Sequence, residues 1–269
     1  EKAERLRNGL TPIVQPTAAQ RLEAKKRYRH QDGLIHIAVA GGSGTGKSSF
    51  INAIRGLGNR SSSNDPCIAA TGVAETTGIF GRYPDPNPDR PYVWYDIPGA
   101  GTLNVPDWQY FNDQGLYTFD RIIVLFDIRF TATDIAILRH CAHFSIPSYI
   151  VRSKSTTHIR NIMDELREED QYEYDSEEGL RNRARNKLIA DTNGTVAHNL
   201  GRVGLSSQRV YCIDRAILLK CFSGKRPKDT IDEVLLINSM WDKGGASDAN
   251  RYCFLQFDLP DLTFEICSP

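Results

Sequence analysis

Leu34-Ile-His-Ile-Ala-Val-Ala-Gly-Gly-Ser-Gly-Thr-Gly-Lys-Ser-Ser-Phe-Ile-Asn-Ala-Ile54 is the stretch on which the fold turns. Its opening, Leu34–Ala40, is a short apolar run rich in β-branched residues, the pattern of a strand buried on both faces. Its close, continuing to Arg55, reads as a helix. Between them Gly41-Gly-Ser-Gly-Thr-Gly-Lys-Ser48 completes the GxxxxGKS pattern of a phosphate-binding loop, in the strand–loop–helix context that such a loop requires. Glycines let the backbone curl so that several N–H groups point inward at a phosphate with no Cβ in the way. The helix that follows adds the positive end of its dipole. Gly42, Ser43, Gly44, Thr45, Gly46, Lys47, Ser48 and Ser49 are therefore the candidate phosphate-binding residues. Lys47 is placed to reach the β- and γ-phosphates and the Ser48 hydroxyl to ligate Mg²⁺. The bland alternative, a chance glycine-rich turn after a strand, does not account for the whole motif in this setting.

Working outward, Pro91–Tyr95, Arg121–Phe126, Ser148–Val151 and Val210–Ile213 read as further buried strands. Thr131–His143, Thr157–Glu169 and Gly179–Leu200 read as helices between them. Strands alternating with helices predict an α/β fold of the Ras-like P-loop kind: a mostly parallel, doubly wound sheet with helices on both faces. Pro84, Pro86, Pro88 and Pro91, separated by Asp85, Asn87 and Asp89, predict a rigid turn in a hairpin at one sheet edge. Glu1–Leu10 and Thr17–Tyr28 read as N-terminal helices, and Asp232–Met240 as the one clear helix after Ile213. The expected division is a helical segment 1–33, a nucleotide-binding domain 34–215, and a C-terminal helix and tail 216–269. From Asp164 to Glu178 nine residues are acidic and one, Arg167, is basic, as in a solvated insertion.

A second element supports the phosphate site. Val93-Trp-Tyr-Asp-Ile-Pro-Gly99 reads as a strand ending in an acidic residue and then Pro-Gly, and ligands of doubly wound sheets sit beyond the carboxyl ends of the strands. Asp96 is thus expected near Ser48, holding magnesium through a water, with Gly99 offering its N–H to a γ-phosphate. Thr71-Gly-Val-Ala-Glu-Thr-Thr77 precedes a strand. A threonine there can place its hydroxyl on Mg²⁺ and its amide on the γ-phosphate. Thr77 is the first choice, with Thr76 and Thr71 behind it, and Thr76 and Thr77 read almost as well as β-branched strand residues.

The 269 residues carry 33 basic and 33 acidic side chains, with 40% hydrophobic and 25% charged residues. This composition excludes fibrous, collagenous and wholly disordered chains. Zero net charge argues against a nucleic-acid partner held by bulk electrostatics. No apolar run approaches the ~20 residues of a membrane-spanning helix. Six cysteines without a CxxC pair, and no apolar leader, point to free thiols in a reducing, cytoplasmic compartment, with Cys141 and Cys212 as small buried hydrophobes. The chain opens at Glu1, as a trimmed chain would. His140, Cys141 and His143 lack metal-ligand spacing and read as core or surface residues. Lys25, Lys26, Arg27 and Arg29 read as a solvated helix face rather than a lipid-binding one.

Taken together, GGSGTGKSSFINAIRG (41–56), TGVAETT (71–77), YDIPGAGT (95–102) and FDIRFTATDIAI (126–137) resemble the immunity-related GTPases. YPDPNP, DWQYFNDQGLY and IVRSKS are similar to fungal members of that family. The resemblance covers roughly 34–215. It implies a Ras-like G domain with a helical domain built from both chain ends, a GTP/GDP cycle with Mg²⁺, and nucleotide-dependent homodimers that often work peripherally at intracellular membranes. It also implies that Glu75 takes part in activation and hydrolysis across a dimer, and that Lys47, Thr77 and Gly99 complete the catalytic set. Guanine is read in this family by [TN]KxD after the fifth strand and by a short turn after the sixth. The corresponding residues are Ser153, Lys154 and Thr156, then Ile213-Asp214-Arg215.

Three departures follow, two of them in the base-reading motifs: Thr156, and the turn Ile213-Asp214-Arg215 in place of the family's S-N/A-K. Thr156 stands where the base-reading aspartate belongs, and a charged hydrogen bond of that kind contributes about 1.5–3 kcal/mol. Asp214 could accept from the guanine amine instead. Ala100 occupies the position of the water-orienting glutamine of Ras-type enzymes, so hydrolysis by one chain should be slow. Acceleration would then come from Glu75, Arg82 or a partner, although Arg82 and Arg129 read more simply as members of surface ion pairs. Three functions remain open on the sequence: a slow GTPase switch that dimerises, a pseudo-GTPase scaffold, and an NTPase of relaxed base preference.

Overall fold

A computed structural model describes residues 13–59, 68–69, 80–99, 107–168, 176–223, 225 and 227–241. The expected helix Glu1–Leu10, the stretch Thr71–Thr77 with Glu75, Thr76 and Thr77, and Ala100 lie outside these residues. Six strands form one sheet: β1 (Ile35–Ala40), β2 (Gly81–Pro84), β3 (Tyr92–Asp96), β4 (Arg121–Phe126), β5 (Ser148–Arg152) and β6 (Val210–Cys212). Their order is β2-β3-β1-β4-β5-β6, parallel throughout except for the antiparallel pair β2–β3. The described helices are α1 (Ala18–Arg27), α2 (Lys47–Ile54), α3 (Asp107–Asp113), α4 (Ala132–Phe144), α5 (Ser155–Glu168), α6 (Glu177–Arg202), α7 (Arg215–Phe222) and α8 (Glu233–Trp241). This is the mixed α/β, mostly parallel sheet that the alternating pattern predicts.

The period-2 geometry of the strands divides the core in two. Ala38, Ala40, Val93, Tyr95, Ile122, Val124 and Ile150 face one layer with Phe111, Ile137, Leu138, Val196 and Leu200. Ile37, Val39, Trp94, Ile123, Leu125 and Val151 face the other with Phe50, Ile54, Leu218, Leu236 and Met240. Both faces are dry, which is why these strands read as unbroken apolar runs. Tyr28, at the end of α1, is fully buried in the first layer, edge-on to Tyr95 and Phe119. α8 belongs to the second layer, where Tyr149 Oη donates to Ser239 O at 3.1 Å.

Local chemistry explains the element ends. Thr17 and Gln20 form a reciprocal capping box on α1, and Thr131 and Asp134 do the same on α4. In the β2–β3 hairpin, Asp85 Oδ1 accepts from Asn87 N and Asn87 Oδ1 from Asp89 N, each at 3.0 Å, so polar side chains make the turn between prolines. Within the acidic stretch Arg167 joins Asp164 and Glu177 at 2.6 and 2.7 Å, an exposed clamp between α5 and α6 that contributes little to stability. At the free side of β6 the strand amides are met by side chains. Val210 N donates to Asn193 Oδ1 at 3.1 Å, and Cys212 N to Asp232 Oδ2 at 2.9 Å.

One expectation is corrected. The segment after Ile213 holds two helices rather than one clear helix, because Asp214 Oδ1 accepts from Ala216 N at 2.8 Å and starts α7. Ile217, Leu218 and Cys221 then bury its inner face. Cys141 and Cys212 are buried free thiols, as expected. Burial pushes both up, Cys212 to about 11, which disfavours the reactive thiolate. His140 is buried, stacked on Phe111 at 4.6 Å, with Nδ1 on Ala136 O. Among the described residues no helix is long and apolar enough to cross a membrane.

His30 stacks on His36 at 3.9 Å where α1 meets the sheet. Burial, then the neighbouring His36, Lys25 and Arg82, lower its pKa from 6.5 to about 4. An imidazole depressed in the folded state binds fewer protons there than when unfolded. Its contribution is therefore complete above about pH 6.5 and is lost as pH falls toward 4. Thermal unfolding of the wild type and of His30→Phe across pH 7.5–4.5 should show the wild type losing stability relative to the variant below about pH 6.5.

Candidate functional site

The carboxyl ends of the parallel strands converge, since Val39 pairs with Asp96, Ala40 with Val124, Phe126 with Arg152, and Arg152 with Cys212. The loop leaving β1 crosses this convergence. Gly41 has φ +139°, and a Cβ there would lie 2.0 Å from Leu125 O, so the chain passes directly over the end of β4 and only glycine fits. Gly44 (φ +74°) and Gly46 (φ +92°) are left-handed, and Gly46 forms the N-cap of α2. Thr45 Oγ1 donates to Gly42 O at 2.9 Å and closes the curl.

Lys47, the first residue of α2, is buried, and its Nζ donates to Gly41 O at 3.3 Å and Gly42 O at 3.0 Å. The ammonium is thus folded back over its own loop, at the point where the curled backbone and the N-terminus of α2 meet. Ser48 Oγ donates to Asp96 Oδ2, which brings the expected metal pair together. Burial raises the Asp96 carboxyl above its usual range, opposed by the Ser48 hydrogen bond and the Lys47 charge. Gly99 comes so close that a Cβ on it would lie 2.9 Å from Ser43 N, so the turn after β3 lies against the phosphate loop. The Ser49 hydroxyl accepts from Asn59 Nδ2 at 3.1 Å.

These residues fit a magnesium-bound polyphosphate. The loop offers a curled backbone, a helix N-terminus and a positioned ammonium. Ser48 and Asp96 are hard oxygen donors of the kind Mg²⁺ takes, and they would hold it, Asp96 through a water, beside the phosphates.

The residues that the sequence assigns to the base lie around Ser153 and Lys154. Ser153 Oγ donates to Thr45 O at 2.7 Å, and Lys154 Nζ to Gly44 O at 3.1 Å, so the loop after β5 is fastened to the phosphate loop. Lys154 is itself left-handed, at φ +56°. Thr156 is half-buried in the first turn of α5. It lines, together with Asp214, a groove of about 850 Å³ between α5, α6 and α7. Asp214 thus lies where the sequence places it, but one of its oxygens caps α7. Arg215 is the first residue of α7. Arg82, on β2, bonds Gln31 Oε1 at 2.7 Å and Tyr95 Oη at 3.3 Å, and Arg129 is exposed beside Asp127.

Asp127 is a site residue that the sequence reading passed over. Its carboxylate holds Lys154 Nζ and His158 Nε2, each at 2.7 Å. Burial opposes its ionisation, but the hydrogen bonds from Lys154 and His158 prevail and keep the carboxyl below its usual range. Its place one residue beyond β4, at the carboxyl end of the sheet, was the available signal.

The two loop glycines separate steric from conformational cost. Gly41→Ala meets a backbone carbonyl, whereas Gly44→Ala meets nothing within 4 Å and strains only φ. In urea melts Gly44→Ala should cost about 1 kcal/mol and Gly41→Ala about 2–4 kcal/mol. Equal losses would mean that the loop does not press on Leu125.

Comparison with known proteins agrees with this geometry. The profile of the interferon-inducible GTPase (IIGP) family matches residues 22–186. Among curated relatives, "Interferon-inducible GTPase 1" of Mus musculus is 36% identical over 132 residues, which are 49% of this chain and 30% of that protein. "T-cell-specific guanine nucleotide triphosphate-binding protein 2" of Mus musculus is 34% identical over 127 residues, or 47% of this chain and 29% of that protein. Among solved structures, a bacterial selenocysteine-specific elongation factor EF-Sec aligns with TM-score 0.39 and 18% identity, covering 77% of this chain and 28% of that one. The chain thus spans about 30% of the length of the curated relatives it matches. With its phosphate loop, strand order and profile match in register, the chain belongs to the interferon-inducible GTPase family.

Proposed function

We propose that this protein is a guanine-nucleotide switch that binds GTP and GDP with Mg²⁺ and hydrolyses GTP slowly, faster when two chains pair. The observation that carries the reading is Lys47 held over the carbonyls of Gly41 and Gly42, beside the Ser48–Asp96 pair. In this reading the amides of Gly42–Ser49 cradle the phosphates, and Lys47 neutralises their β- and γ-oxygens. Ser48 and Thr77 hold the metal, with Asp96 acting through a water. Gly99 supports the γ-phosphate. Ala100 offers a methyl group where a water-orienting amide would stand, so one chain hydrolyses slowly and Glu75 completes the chemistry across a dimer. Residues 34–215 carry the nucleotide site in this reading, and the described parts of 1–33 and 216–269 add helices that pack on its sheet. Peripheral attachment to intracellular membranes belongs to the same proposal, which takes it from the family.

The relatives are named as a GTPase and as a guanine nucleotide triphosphate-binding protein, which supports guanine as the base. Thr156 favours a second reading, an NTPase of relaxed base preference or a weakly binding scaffold. It supplies no carboxylate, and Asp214 already spends an oxygen on Ala216 N.

Calorimetric titration with GDP and ADP in Mg²⁺ decides between them. The wild type should bind GDP, Lys47→Ala should lose at least about a hundredfold in affinity, and Thr156→Asp should gain tenfold or more for GDP over ADP. A Thr156→Asp variant without such a gain would misplace the base. GTP turnover per chain should rise with protein concentration, and a flat specific activity would remove the dimer from the mechanism.

A further inference from the structure

The segment leading into α8 is bonded to the base side of the site. Asp232 N donates to Cys212 O at 3.1 Å, and Asp232 Oδ2 accepts from Cys212 N at 2.9 Å, which lays this segment along β6. Arg209 Nη2 holds the other Asp232 oxygen at 3.1 Å. The next residue, Glu233, is fully buried. Its Oε1 accepts from Asp214 N at 2.8 Å, and its Oε2 from Ile231 N at 2.6 Å.

A carboxyl in such a place is costly unless its hydrogen bonds serve the structure. Burial pushes it up to about 7, against the pull of the amides of Asp214 and Ile231. What it fixes is the turn Ile213-Asp214-Arg215. Ile213 O in turn accepts from Ser155 N at 3.0 Å, and the adjoining Ser153 and Lys154 reach the carbonyls of Thr45 and Gly44. A continuous set of hydrogen bonds therefore runs from the start of α8, through both base-side loops, to the phosphate loop.

We propose that Glu233 is a positioning residue for the nucleotide base: it holds the Ile213–Arg215 turn against the Ser153–Thr156 loop, so that the seating of α8 sets how long a bound nucleotide stays. The inference rests on the reading of those two loops as the base side of a guanine-nucleotide site. Glu233→Gln tests it, because an amide can accept from one of the two N–H groups but presents its own N–H to the other. Arg209→Ala is a milder, exposed variant that weakens the hold on Asp232 and removes the guanidinium from over the Tyr211 ring. Leu200→Ala is the control, since it opens the core layer on the opposite face of the sheet.

Release of a fluorescent GDP from the full chain is followed by stopped flow, and tripolyphosphate affinity by competition. Glu233→Gln should release GDP about tenfold faster or more, and Arg209→Ala about two- to threefold faster. Tripolyphosphate affinity should be unchanged in both. Leu200→Ala should lower the melting temperature and leave release unchanged. Wild-type release rates in folded Glu233→Gln overturn the proposal. So does a parallel fall in tripolyphosphate affinity, or equal acceleration by Leu200→Ala. If Glu233→Gln does not fold, Arg209→Ala decides by the same criteria. A wild type that binds no GDP removes the nucleotide reading and this coupling with it. Tight wild-type binding with an unaltered release rate in the variants removes the coupling alone.

Discussion

The passage of the chain over the end of β4 at Gly41 governs the arrangement of the whole carboxyl face. A backbone that must lie against Leu125 O admits no side chain, and the left-handed turns at Gly44 and Gly46 follow from the same tight course. That course delivers Lys47 and Ser48 to the first turn of α2, one over the loop and the other beside Asp96. The parallel direction matters equally, because it brings the carboxyl ends of β1 and β3, where Val39 faces Asp96, to the same edge of the sheet. Ligand chemistry thus depends on a steric exclusion at one residue and on the direction of two strands.

The second loop system is subordinate to the first. Ser153 and Lys154 both end on carbonyls of the phosphate loop, and Asp127 holds the lysine in that position. The two loops are therefore one hydrogen-bonded unit rather than separate pieces. This ordering also explains how the loop keeps its course with a threonine, Thr156, in the next turn. The loop is fastened through the two preceding residues rather than through that side chain.

The phosphate loop, the alternating core and the edge hairpin were legible because each is a local pattern with a fixed period or a fixed backbone demand. Other features depend on partners far away in sequence. Asp127 is indistinguishable in sequence from any aspartate in a turn until Lys154 and His158 are folded onto it. Asp214 reads in sequence as a base acceptor, whereas in the structure one of its oxygens starts α7. The short helix Asp107–Asp113 owes its stability to Tyr110 and Phe111 in the core more than to intrinsic propensity. Glu233 looks in sequence like an ordinary acidic residue at a helix start, whereas it is fully enclosed.

The side chains that meet the outer amides of β6 have a consequence for assembly. With Val210 N given to Asn193 and Cys212 N to Asp232, that margin has no ladder left to offer an incoming strand. Two copies of this chain cannot extend each other's sheets there, nor can a stray extended peptide graft itself on. Any contact made at that margin must therefore run through side chains rather than through continuous backbone pairing.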